Sequence, residues 1–116
     1  MSQETTEKNE IINVNENGEV INDRVYKLSR PFNWQGKTYT ELNLDFESLT
    51  GKDLIKAESE FNKKGGFAIM LDLNKEYCAI IAAKAAGVGS DMLMELPAND
   101  FSKITTRVTG FLLKSE

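Results

Sequence analysis

The chain has 116 residues, enough for one domain with a modest core and too few for two. Its 41% apolar and 28% charged residues are ordinary globular composition, and its formal charge is −4. No apolar run is long enough to cross a bilayer, since Phe67 to Leu71 and Ala79 to Ala83 are stopped by Asp72 and Lys84. The polar, acidic start reads as no signal peptide. Cys78 has no second cysteine to pair with, which fits a reducing cytoplasm.

Charge is unevenly placed. Residues 1–22 hold five of the eighteen acidic residues and one of the fourteen basic ones, leaving thirteen of each in the remainder. A neutral body with an acidic leader matches nucleic acid poorly, because binding there depends on displacing phosphate counterions. Arg24, Lys27 and Arg30 do not form a basic patch, as Lys27 faces opposite to the other two on a strand.

Residues 1–22 carry too little apolar surface to offset the entropy of ordering them, so an acidic leader, disordered or partly docked, is expected there. A single domain over 23–116 follows. Val25 to Ser29 is rich in strand formers, and Pro31 is expected to end that strand. Thr38 to Phe46 is the clearer strand, with Leu42, Leu44 and Phe46 alternating onto one face. Between them Gly36 can take the positive φ of a hairpin loop.

Helices come next. Thr50-Gly51-Lys52-Asp53 has the form of a capping box and opens a helix to about Lys63, with Gly65-Gly66 ending it. The spacing predicts a second helix from Asn74 to Ala86. Its middle, Tyr77 to Ala83, is apolar nearly all round and so belongs at the centre of the fold. Ser90 can cap a short turn over Asp91 to Glu95. After Pro97, Phe101, Ile104, Val108, Phe111 and Leu112 mark one face of a last helix from about Asn99 to Leu113. The fold class is α+β: an N-terminal antiparallel β-hairpin packed on about three α-helices.

Catalytic chemistry has little to work with. Histidine is absent, which removes the commonest general base and metal ligand together. Gly51-Lys52 lacks the upstream glycine and the following Ser or Thr of a phosphate loop. Asp72-Leu73-Asn74-Lys75-Glu76 begins like a calcium loop but has Tyr77 where the sharp turn requires glycine. No enzyme, cofactor, metal site, nucleic acid or membrane partner is expected.

The order of elements carries a resemblance. It lies chiefly in Tyr77-Cys78-Ala79-Ile80-Ile81-Ala82-Ala83-Lys84-Ala85-Ala86-Gly87 and Glu95-Leu96-Pro97-Ala98-Asn99-Asp100-Phe101, behind the hairpin and the helix around Asp53. From about residue 23 onward the chain resembles the tail assembly chaperones of long-tailed bacteriophages. The similar branch holds the small tail proteins of P2-like and Mu-like phages and of many Gram-positive prophages. The resemblance implies a non-enzymatic role in the host cytoplasm. Such proteins bind the tape measure protein, help recruit tail tube subunits, and are absent from the mature virion. A permanent tail or head connector subunit and a small ligand-binding domain are the alternatives, and self-association is left open.

Three segments are candidate partner contacts. Met92, Leu93 and Met94 lie in a short Pro-bounded segment and either face a partner or plug the core. Phe67, Ile69 and Met70 follow the double glycine and are either an exposed patch or a buried linker. Phe32 and Trp34, at the hairpin tip, are either partner anchors or folded back onto their own sheet.

Overall fold

The computed structural model describes residues 24–114 in full and, before them, only the backbones of two short strands, β1 (Asn13–Val14) and β2 (Val20–Ile21), paired antiparallel. The acidic leader otherwise lies outside the described residues.

The hairpin consists of β3 (Val25–Trp34) and β4 (Lys37–Asn43). Trp34 pairs with Lys37 across a two-residue turn in which Gln35 and Gly36 have φ of 50° and 82°. Two positive φ values in succession give the turn whose twist matches that of paired strands. Pro31 does not end β3, contrary to the expectation. The register is regular from Val25↔Asn43 to Lys27↔Glu41, shifts, and resumes from Phe32↔Tyr39 to Trp34↔Lys37. Pro31 sits inside that irregular stretch, where its missing N–H interrupts no ladder. β4 stops at Asn43, short of the expected Phe46, which instead opens a 3-10 turn (Phe46–Ser48) with its ring stacked on Phe111 at 5.2 Å between centroids.

Four helices follow: α1 (Gly51–Lys63), α2 (Lys75–Ala86), α3 (Ser90–Met94) and α4 (Ala98–Leu112). The Asp53 carboxylate accepts from the Thr50 N–H at 2.8 Å, so the expected box opens α1. Asn74 Oδ1 accepts from the Tyr77 N–H at 2.9 Å and caps α2, which stops at Gly87. Ser90 does not cap α3; its hydroxyl donates to Glu60 Oε2 at 2.8 Å and ties α3 to α1.

Every residue of α2 from Tyr77 to Ala83 is buried, and Ala85 with them. The helix is central, as its all-round apolar sequence requires. Ala57 and Phe61 of α1, Met92 and Leu93 of α3, and Ile104 and Val108 of α4 join it in one core with Tyr26, Leu28, Leu42 and Leu44 of the hairpin side. The domain is thus a hairpin laid against a helical cluster built around α2.

Candidate functional site

The exposed apolar surface is concentrated in the segment joining α1 to α2. Phe67 is 82% exposed, Ile69 90% and Met70 59%. Their neighbours Ala68 and Leu71 are half-buried against the core. The segment is held at both ends, so its outward side chains come from fixed backbone.

At its start, the Gly65 N–H donates to the Asn62 carbonyl and the Gly66 N–H to the Phe61 carbonyl at 3.0 Å, with Gly65 at φ 84°. This is the paired-bond termination that favours glycine, and it reverses the chain. A Cβ on Gly66 would lie 2.5 Å from the buried Phe61 ring, so only glycine fits there. At its far end, a 3-10 turn (Leu71–Leu73) leads into α2, and the Asp72 carbonyl accepts from the Thr109 hydroxyl at 3.1 Å and from the Cys78 thiol at 3.4 Å. Thr109 Oγ1 and Cys78 Sγ are themselves 3.4 Å apart. Burial pushes the Cys78 thiol up despite the Thr109 bond, so the sulfur is an inert buried group with a structural bond.

A polar cluster joins the hairpin to α4. Asp100, in the first turn of α4, is 1% exposed. Its Oδ1 accepts from the Tyr26 hydroxyl at 2.7 Å, and its Oδ2 from the Ser29 hydroxyl at 2.8 Å. The Ser29 N–H reaches both oxygens, at 3.1 and 3.2 Å. Burial raises the Asp100 pKa, but the bonds from Tyr26 and Ser29 outweigh it and hold the carboxyl below its usual range. Tyr26 is pushed up to about 12, by burial first and then by Asp100. Every oxygen of the cluster is satisfied, and its chemistry is that of a staple.

Among the described residues, no group of three or more His, Cys, Asp or Glu could hold a metal, and no helix is long and apolar enough to cross a membrane. Shallow depressions among the described residues are lined by α1, by the outer edge of β4, and by Leu73 and Lys75 with Thr105, Thr106 and Thr109 of α4. A family model described as phage tail assembly chaperone proteins, E, or 41 or 14, matches residues 25–113. The chain belongs to this family. No curated protein and no solved structure matches it.

The three candidate segments of this tail assembly chaperone lie in three different settings. Phe67, Ile69 and Met70 are on the surface, as above. Met92 and Leu93 have no exposed area and take the core-plugging alternative: α3 is a single amphipathic turn, and both side chains join the core cluster with α2. Met94, at the end of that turn, is 38% exposed. Phe32 and Trp34 are half-buried and stacked, with ring centroids 6.2 Å apart at 13°, and pack against the core cluster on their own side of the sheet. Neither Asp100 nor Ser29 carries a local sequence signal of this role, because the pairing of a strand tyrosine and serine with a first-turn aspartate exists only in the fold.

Proposed function

We propose that this chaperone binds apolar helical stretches of the tape measure protein in the bacterial cytoplasm, keeps them from aggregating, and hands them to tail tube subunits without entering the finished virion. The role is non-enzymatic. The observation that carries this reading is the exposure of Phe67, Ile69 and Met70 on a segment whose ends are fixed by Gly66 and Asp72. Burying one such side chain is worth about 1.5–3 kcal/mol, so leaving three in water is a cost that a partner recovers. Met70 adds a flexible, polarisable side chain that adapts to more than one helical surface, as a protein that coats a long partner needs.

The test is co-expression with the tape measure protein of the same phage. The tape measure protein is expected to stay in the soluble fraction and to co-purify with the chaperone, while purified virions contain none of the chaperone. A tape measure protein that remains insoluble and unbound, or a chaperone retained in virions at constant copy number, would contradict the proposal.

A further inference from the structure

The charges of the folded body sum to zero by formal count, but four lysines gather at one side of α1. Positions 52, 55, 56, 59, 62 and 63 share the outward face of α1, and they are Lys52, Ile55, Lys56, Ser59, Asn62 and Lys63, all exposed and none acidic. Lys56, Lys63, Lys64 and Lys84 line one shallow depression of about 460 Å³, in which Glu60 is the one acidic lining residue. That carboxylate is already engaged, accepting from Ser90 and lying 3.5 Å from Lys64 Nζ. A second depression, containing Ile55, shares Ser59 and Lys63 with the first. Ile55 is 67% exposed between the lysines. Lys63 and Lys64 directly precede Gly65-Gly66 and Phe67, so the apolar segment starts at the basic C-terminal end of α1.

We propose that the lysine-rimmed face of α1, together with the Phe67–Met70 segment, seats a partner helix whose apolar stripe is flanked by Asp and Glu. This rests on the function proposed above and adds the charge class of the tape measure segment that is bound. Apolar contact at Ile55 and Phe67 supplies the affinity, and the rim of lysines selects the flanks and sets the register by charge complementarity. A polyanion fits less well. A surface of phosphates offers no apolar stripe to cover the exposed Ile55 and Phe67, and Glu58 borders the groove that Ile55 lines.

Two designed helical peptides test this, carrying the same leucine stripe with flanking positions either all Glu or all Lys. Anisotropy titration against the full chain is expected to show the Glu peptide binding about tenfold tighter at low salt, with the gap closing as ionic strength rises. Lys56→Glu/Lys63→Glu should reverse the preference, and Lys56→Gln/Lys63→Gln should abolish it, both with the thermal midpoint nearly unchanged because these side chains are exposed. Equal binding of the two peptides overturns the proposal, as does failure of both to bind while the tape measure protein still co-purifies. Competition by phosphatidylserine vesicles or by DNA for the same lysines also overturns it, in favour of a polyanion site. If the Glu peptide binds selectively but the tape measure protein does not co-purify, the face stands and the function proposed above falls.

Discussion

The Tyr26 hydroxyl donates to the buried Asp100 carboxylate at 2.7 Å, across 74 residues of chain. This bond and those from Ser29 fasten the hairpin to the first turn of α4. Asp100→Ala would strand the Tyr26 hydroxyl and the Ser29 N–H and hydroxyl away from their acceptor. A loss of about 3 kcal/mol is expected in urea unfolding. A change under 0.5 kcal/mol would mean that water replaces the carboxylate at little cost.

The same pair sets a pH dependence. Tyr26 has its folded pKa raised to about 12, so its contribution is complete below the unfolded value near 10 and is lost as pH rises toward 12. Stability should therefore fall by about 2 kcal/mol over that range, and Tyr26→Phe should flatten the alkaline limb. Asp100 has its folded pKa lowered, so its contribution is present above about 4 and disappears as pH falls further. Asp100→Asn should flatten the acid limb. An alkaline limb unchanged in Tyr26→Phe would assign that loss of stability to other groups.

Gly66→Ala is expected to destabilise the domain by about 1–3 kcal/mol, because the new methyl meets a Phe61 ring that is 2% exposed and has nowhere to move. Thermal denaturation checks it. A midpoint at or above that of the parent would show that the segment can shift away from Phe61.

Met92 and Met94 separate core from surface within one turn of α3. Met92→Glu buries a charge at a position with no exposed area and should unfold the domain, whereas Met94→Glu should leave the midpoint within a few degrees. Circular dichroism melts of the two variants give the comparison. Equal melting would mean that α3 is not anchored in the core.

Much of the fold was legible because single segments carried their own signals. Thr50 with Asp53, Asn74 at a helix start and the all-apolar run from Tyr77 to Ala83 each specify a local outcome that packing then agrees with. The extent of β3 was not legible, since a proline ends a regular ladder but is tolerated where register slips, and register is a property of two strands. Ser90 reads as a cap, yet the distant Glu60 captures its hydroxyl. The exposed segment illustrates the limit at the candidate site. Phe67-Ala68-Ile69-Met70-Leu71 reads equally well as a buried linker, and only the turn forced by Gly65-Gly66 and the anchoring of Asp72 put Phe67, Ile69 and Met70 outside. Asp100 shows nothing of its role in the sequence, because its partners lie more than seventy residues away.

The central claim is that the Phe67–Met70 segment is where the chaperone holds its partner. Phe67→Ser/Ile69→Ser/Met70→Ser removes the exposed apolar groups and leaves Ala68, Leu71 and both anchors in place. Co-purification of the tape measure protein with this triple variant is the most direct measurement. The account predicts a well-folded variant, with its thermal midpoint unchanged or slightly raised, that retains less than a tenth of the tape measure protein bound by the parent. Undiminished co-purification by the folded triple variant would contradict it.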